Sequence, residues 1–331
     1  MTLSRPERQM MFVESSGWAE ADLFPLPLDA SFRSYIRLTL NGESRMLMDA
    51  PPGKEKLPEY LRINEHLREL GLRVPRVYAR DLEQGFALIE DFGDDTFTRL
   101  LARGDNEQDL YLKAVDVLVH MHSAGGHATE IDVPSYDMDA LLAEVELFLD
   151  WFVPAARGWE ATAAEKHAYR EAWRSALAGI SMDRSTLVLR DYHVDNLMVV
   201  PDGPNASKCG LLDFQDALIG ARAYDLVSLV EDARRDVSQT IKAAVLSRYF
   251  DKCADVVPDK MKEDMALLGA QRHAKVAGIF LRLSRRDQKD VYLAHMPRVL
   301  RLLAQALDHP MLAEVRKVTE SLVPDYKVAR F

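Results

Sequence analysis

The sequence predicts an α+β fold in two unequal parts, and three features of the chain predict it. Period-two hydrophobic alternation marks the first ninety residues, helical periodicity governs most of the chain after Gly93, and a short β-like patch interrupts the helices between Leu187 and Phe214. Strands and helices segregated in this way argue for α+β architecture and against a parallel sheet wound from βαβ units. The change of character after Asp91 places the expected parts at residues 1–91, small and β-rich, and 92–331, larger and mainly helical.

Each element has a local reason. Ile36, Leu38 and Leu40 alternate with Arg37 and Thr39, Asn41-Gly42 follows, and Arg45–Asp49 returns. Asn-Gly accepts positive φ at both central positions of a tight turn, so this stretch reads as a hairpin. A helix is expected from Pro58 to Leu70, with Pro58 in its first turn, Tyr60, Ile63, Leu67 and Leu70 on one face, and Gly71 to close it. Short strands follow at Arg76–Arg80 and Gly85–Glu90. Beyond them the periodicity predicts helices over Glu107–Ser123, Asp137–Phe152, Glu160–Ala178, Arg222–Arg235, Ser238–Ala254, Lys260–Leu283 and Val291–Leu307.

Composition excludes several function classes. The 331 residues carry 42 Lys+Arg against 52 Asp+Glu, a net charge of −10, which argues against tight binding of nucleic acid through its phosphates. Cys209 and Cys253 are the only cysteines, so neither a disulfide framework nor a thiolate metal cluster is expected. The N-terminus, MTLSRPERQMMFVESSGW, has no apolar stretch of signal-peptide length. The most apolar region, Leu141–Ala156, is interrupted by Glu144, Glu146 and Asp150 and cannot span a bilayer. A cytoplasmic protein with neither nucleic acid nor membrane as a partner is expected; the chain carries no sign of its oligomeric state.

The chemistry is concentrated between Leu187 and Leu226. One apolar strand ends in Arg190-Asp191, Asn196 follows five positions after Asp191, a second strand intervenes, and a third ends at Asp213. Phosphoryl transfer from ATP needs such a set: a carboxylate to orient the attacking hydroxyl, and an amide oxygen and a second carboxylate to hold the metal on the triphosphate. Hard oxygen donors without Cys or paired His suit Mg2+ rather than zinc. Taken singly, Asp and Asn at strand ends are turn formers that bond their own backbone. It is the order of strand, D-x-x-x-x-N, strand, loop, strand and D-F that points to catalysis. His120, His122 and His127 also cluster, but they fall at a predicted helix end and are expected to be structural.

This segment resembles the catalytic core of the aminoglycoside phosphotransferase-like family, relatives of the protein kinases, whose catalytic loop H-x-D-x-H-x-x-N precedes a strand ending in D-[FW]. The resemblance implies a bilobal protein-kinase-like fold, with a nucleotide-binding lobe over residues 1–91, a catalytic and substrate-binding lobe over 92–331, and ATP and Mg2+ bound in the cleft between lobes. It implies Asp191 as catalytic base and Asn196 and Asp213 as metal ligands. Leu189 stands where the family's first His usually sits. Arg190 and His193 are expected to support the loop. Gly220 and Asp225-Leu226 resemble the family's G-x-x-x-x-D-[LV], which makes Asp225 a brace for the loop backbone. Glu90-Asp91-Phe92-Gly93-Asp94 resembles the inter-lobe hinge, with Glu90 and Phe92 as expected nucleotide contacts; it precedes the helical part and is not a second metal-binding D-F-G.

The phosphate-binding region departs from the kinase pattern. Ala30-Ser31-Phe32-Arg33-Ser34-Tyr35 has no glycine, and the next strand offers Met46, Met48 and Asp49 rather than a lysine. Ser31, Phe32, Arg33 and Ser34 are expected to meet the phosphates through hydroxyls, backbone N–H groups and the guanidinium, with Lys54 and Lys56 near enough in sequence to contribute. The plainer alternative makes Arg33 and both lysines solvated surface charges.

The acceptor is read from a narrower resemblance. D-A-S-F-R-S-Y, L-M-D-A-P-P, R-D-Y-H-V-D-N-L-M, L-L-D-F-Q-D-A and Q-R-H-A-K-V-A-G-I-F-L-R-L are similar to a subgroup of bacterial sugar kinases of cell-wall recycling. These kinases phosphorylate N-acetylmuramate and N-acetylglucosamine at the anomeric hydroxyl, which implies ATP plus amino sugar giving ADP plus the sugar 1-phosphate in peptidoglycan recycling. Charge distribution adds an independent argument. Gln271–Arg301 holds eight basic residues against Asp287 and Asp290, a local charge of +6. Arg272, Lys275, Arg282 and Arg286 fall within an arc of about 80° on a helix, overlapping the apolar stripe of Val276, Ile279 and Leu283. Arg272, Lys275 and Arg282 are therefore the expected substrate contacts, suited to a carboxylate such as the lactyl group of N-acetylmuramate. An ordinary solvated or snorkelling helix face is the alternative. Two other functions compete: a kinase of another small hydroxyl compound (an aminoglycoside, a choline-like or an amino alcohol), and a nucleotide-binding pseudokinase or regulatory protein, which the missing lysine would suit.

Overall fold

A computed structural model describes residues 3–27, 32–182, 185–200 and 208–331. In chain order the elements are α1 (Arg5–Ser15), β1 (Asp22–Pro25), β2 (Ser34–Leu40), β3 (Glu43–Asp49), α2 (Leu57–Glu69), β4 (Val77–Asp81), β5 (Phe86–Glu90) and α3 (Phe97–Arg103). Then come α4 (Glu107–Ser123), α5 (Met138–Leu147), α6 (Val153–Arg157), α7 (Ala163–Leu177), β6 (Ser185–Val188), β7 (Leu197–Val199), β8 (Cys209–Leu211) and β9 (Leu218–Ala221). The chain finishes with α8 (Ala223–Val230), α9 (Gln239–Lys252), α10 (Pro258–Asp287), α11 (Met296–Ala306) and α12 (Ala313–Leu322). The α+β class holds: one antiparallel sheet lies near the N-terminus and the remainder is mainly helical.

Two compact units form, Met1–Asn106 with Val194–Ala217, and Glu107–His193 with Leu218–Phe331. This partition follows contact rather than chain continuity at residue 91. The β7–β8 hairpin joins the first unit because Leu211 N donates to Arg73 O at 2.8 Å and Val199 N to Asp95 O at 3.0 Å.

In the first unit five strands run antiparallel in the order β1-β2-β3-β5-β4. Asn41 and Gly42 turn β2 into β3 with φ of 51° and 81°, the conformation anticipated for Asn-Gly. The interior strands β3 and β5 are the most buried. Leu38, Leu47, Phe86 and Leu88 pack with Phe12 and Val13 of α1 into one core. Helix α1 was not among the expected elements. Its start was written in the sequence as Ser4-Arg5-Pro6-Glu7: the Ser4 hydroxyl caps Glu7 N, and the Glu7 carboxylate receives Ser4 N at 2.6 Å. Arg5 and Gln9 of the same helix bind Asp49, the acidic residue standing on the strand that lacks a lysine.

The second unit is organised by α10. Every residue from Leu267 to Gly278 is buried, so the helix is enclosed on all sides as a core helix is. It packs against α5, α8 and α11. The reading of its cationic residues as a solvated or snorkelling face therefore fails for Arg272 and Lys275, both of which are buried. The helix expected over Asp137–Phe152 starts at Met138 with Asp137 as its cap, but after Leu147 it widens into a π-helical turn, Phe148–Phe152. Gly278 explains the close approach there, since a Cβ on it would lie 2.3 Å from Leu147 O. Strand β9, also unexpected, pairs antiparallel with β6. Both cysteines are buried free thiols. Among the described residues no helix is long and apolar enough to cross a membrane.

Replacing an exposed mid-helix glycine by alanine stabilises a helix by ~1 kcal/mol. Gly278→Ala is expected to do the reverse and cost about 1–3 kcal/mol, because the methyl meets α5 backbone rather than a movable side chain. Denaturant unfolding of the variant measures the sign.

Candidate active site

The second unit carries Asp191. Strand β6 ends at Val188, and the next two backbone N–H groups, of Leu189 and Arg190, donate to Asp225 Oδ2 and Oδ1 at 2.6 and 2.9 Å. These bonds hold Arg190 at φ 70°, a left-handed conformation that costs a residue with a Cβ about 1–2 kcal/mol. Asp225 lies in the first turn of α8 at 1% exposure. Burial pushes its carboxyl up to about 7 against the lowering effect of the two N–H groups.

From the same loop the Arg190 guanidinium reaches Glu144 of α5. Glu144 also accepts from the Tyr136 hydroxyl, from Lys275 Nζ at 2.8 Å and from Gln271 Nε2 at 3.0 Å. Burial opposes ionisation of Glu144, but the charges of Lys275 and Arg190 outweigh it and hold the carboxyl at about 2. Lys275 Nζ is also within 3.2 Å of the Tyr224 hydroxyl. Asp191 itself opens to solvent. The protein packed around its inner side opposes ionisation, yet Lys275, His193, Arg272 and Arg190 together hold it below the usual carboxylate range. His193 is buried with Nε2 at 3.0 Å from Arg234 Nη1. Burial, then the charge of Arg234, depress its ring pKa.

Of the three cationic residues singled out on α10, Lys275 is thus engaged by Glu144. Arg272 is 3% exposed, and its Nε and Nη1 find no partner among the described residues. Arg282 lies ten positions further on, about 15 Å along the axis. There burial and neighbouring Arg286 lower its pKa.

The first unit carries Asn196 and Asp213, the two residues expected as metal ligands. Asn196 closes a short turn, Val194–Asn196, and its carbonyl accepts from Leu212 N at 3.0 Å, one residue before Asp213. Asp213 adopts φ 59°, the second side-chain-bearing site residue held in the left-handed region. Arg33 ion-pairs with Asp213 Oδ1, donates to Gln215 Oε1 at 2.7 Å and lies 3.3 Å from Glu55 Oε2. At 9% exposure Arg33 is no solvated surface charge, whereas Lys54 and Lys56 are exposed, Lys54 over the Phe32 ring and Lys56 on Asp216. Phe32 is exposed and its N–H donates to Glu55 at 2.7 Å; Ser34 opens β2 opposite Asp49. Ser31 lies outside the described residues.

Asn196 and Asp213 fit Mg2+: both offer hard oxygen atoms, and Asp213 Oδ2 takes no hydrogen bond from the described residues. Glu90 has its carboxylate in a two-pronged pair with Arg73, at 2.7 and 2.5 Å, and Phe92 lies beneath that guanidinium at 4.6 Å. What the segment leaves for a base is backbone and ring rather than the Glu90 side chain. Asp91 pairs with Arg37 at 2.6 Å. His122 bonds the Tyr249 hydroxyl at 2.8 Å, and burial drives its ring down to about 3. No group of three or more His, Cys, Asp or Glu side chains among the described residues is arranged to hold a metal ion.

Glu144, Tyr136, Glu55 and Gln215 were not singled out by sequence. For Glu144 a signal existed: on a helix it shares a face with Leu141, Val145 and Phe148, an acid on a core stripe.

A model of the phosphotransferase enzyme family matches residues 22–263. The N-acetylmuramate/N-acetylglucosamine kinase of Pseudomonas aeruginosa is 35% identical, over 93% of this chain and 91% of its own. The protein of the same name from Caulobacter vibrioides is 31% identical, over 98% of this chain and 99% of its own. Among solved structures, the ADP-bound aminoglycoside phosphotransferase APH(2'')-Ib has the same fold at TM-score 0.57 and 15% identity, with 91% of this chain and 98% of that one covered.

Two stability outcomes follow from the loop. Asp225→Ala strands two buried N–H donors at about 1–3 kcal/mol each, so urea unfolding should show a loss of about 3 kcal/mol. Glu144 is held at about 2, below the ~4.3 of an unfolded glutamate, so its contribution is full above pH ~4.3 and lost as pH falls toward 2. Melting temperatures recorded over that window should fall less steeply for Glu144→Gln than for the parent protein.

Proposed function

Because the chain belongs to the phosphotransferase enzyme family, we propose that it is an ATP-dependent sugar kinase acting on the anomeric hydroxyl of N-acetylmuramate or N-acetylglucosamine. The products are ADP and the sugar 1-phosphate, and the place of the reaction is peptidoglycan recycling. The observation that carries this reading is the near full-length match to relatives bearing that name. The cluster of Arg190, Arg272 and Lys275 about Asp191 supports it, since a cationic acceptor such as an aminoglycoside calls for an acidic surround.

Asp191 accepts a hydrogen bond from the C1 hydroxyl and holds its oxygen in line with the γ-phosphorus. As the new O–P bond forms, the bond from the γ-phosphorus to the β–γ bridging oxygen breaks, its electron pair leaves on ADP, and the hydroxyl proton passes to Asp191. A carboxylate held below its ordinary pKa is a weak base, which suits a loose transition state where positioning outweighs proton abstraction. Asn196 and Asp213 would hold Mg2+, which supplies charge neutralisation on the transferring phosphoryl group.

Nucleotide binding falls to residues 1–91 and catalysis with acceptor binding to 92–331. Arg33 supplies the phosphate-binding cation in place of a strand lysine, with Ser31, Phe32 and Ser34 beside it in sequence and Glu90 and Phe92 at the base. Arg190, His193 and Asp225 keep the catalytic loop in shape, and Arg272, Lys275 and Arg282 are the acceptor-binding cations.

Asp191→Asn should lower kcat by about a thousandfold while the Kd for ATP stays within about threefold. Coupled ADP release with N-acetylmuramate, and phosphorus NMR of the product for the anomeric phosphate, measure both acceptor and position. Near-normal turnover by the folded variant overturns the role of Asp191.

A further inference from the structure

Three cations bear on Asp191 within the second unit: Lys275, Arg272 and Arg190. One carboxylate, Glu144, takes two of them, Lys275 at 2.8 Å and Arg190, and is itself saturated by the Tyr136 hydroxyl and Gln271. Lys275 spends a further contact on the Tyr224 hydroxyl. Arg272 is left out of this arrangement. It forms no ion pair among the described residues, it is 97% withdrawn from solvent by its 3% exposure, and both Nε and Nη1 lack an acceptor there. Two buried guanidinium nitrogens without an acceptor are unusual, and the planar donors of the group match the two oxygens of a carboxylate.

We propose that Arg272 is the specificity-determining residue that receives a carboxylate carried by the acceptor, and that Glu144 is the positioning residue that keeps Lys275 and Arg190 from competing for it. Arg282, about 15 Å further along α10, is too distant to share that carboxylate with Arg272. The proposal rests on the amino-sugar reading above. Of the two sugars in that reading, N-acetylmuramate carries a lactyl carboxylate and N-acetylglucosamine is neutral, so Arg272 discriminates between them by charge and leaves the shared ring to other groups.

The experiment compares kcat and KM for three acceptors: N-acetylmuramate, its lactyl methyl ester and N-acetylglucosamine. With the unaltered protein, esterification should raise KM roughly tenfold or more and leave kcat within about threefold. Arg272→Gln should raise KM for N-acetylmuramate by a similar factor, raise that for N-acetylglucosamine at least about threefold less, and erase the difference between acid and ester; Arg272→Lys should restore part of it. Glu144→Gln should lower kcat for both sugars about tenfold or more and shift the ratio of kcat/KM toward the acid, since two cations lose their counter-ion. The proposal is overturned if acid and ester behave alike with the unaltered protein, if Arg272→Gln weakens both sugars in parallel, or if Glu144→Gln leaves kcat and the ratio unchanged. Turnover of N-acetylglucosamine in those cases leaves the sugar-kinase reading standing, whereas no turnover of either sugar by the unaltered protein overturns both.

Discussion

The second unit depends on a single buried carboxylate. Asp225 accepts the two N–H groups that follow β6, and only because it does can Arg190 stay in a left-handed conformation that its own side chain disfavours. That backbone turn decides where two side chains go. Asp191 is directed to solvent, while Arg190 is turned back into the protein, where Glu144 receives it. Glu144 in turn ties α5 to α10 through Gln271 and Lys275. The loop, two helices and three ionised groups form one construction whose strain and burial costs are met by hydrogen bonds complete at Glu144 and Asp225.

The first unit solves a different problem with similar means. Kinase relatives commonly place a lysine on the strand after the phosphate loop, and here that strand offers Asp49, already taken by Arg5 and Gln9 of α1. The preceding loop does hold a cation: Arg33, buried and shared among Asp213, Gln215 and Glu55. The pairing raises its pKa despite burial, so the charge is permanent. That positive group reaches Asp213 without lying on the strand at all.

Much of this was legible in the sequence where local chemistry decides the outcome. Asn41-Gly42 specified its turn, Pro58 and Gly71 bracketed α2, and the periodicity of Glu107–Ser123 gave the bounds of α4. The order of Asp191, Asn196 and Asp213 pointed to phosphoryl transfer before any geometry was known. Elements whose signal is short or whose role is tertiary were not legible. Strand β9 is four residues directly before a helix, and α1 announces itself only through the Ser4–Glu7 capping box. The charges of α10 illustrate the deeper limit. Periodicity placed Arg272 and Lys275 beside an apolar stripe, but whether such residues snorkel or are sealed depends on what covers them, and α5, with Glu144 facing inward, covers them. The same glutamate, counted along the chain, reads merely as an interruption of an apolar run.

The return of Val194–Ala217 to the N-terminal unit bears on how the molecule is made. Leu211 bonds Arg73, Val199 bonds Asp95, and Gly210 lies so close to the Phe92 ring that a Cβ there would sit 2.6 Å from it. A chain emerging from the ribosome therefore cannot finish its first unit when Asn106 appears; the site for β7 and β8 stays open until Ala217 has been synthesised. Contacts of such sequence separation form late and leave apolar surface uncovered meanwhile, so early synthesis is the stage at which this protein is exposed to aggregation and to chaperones.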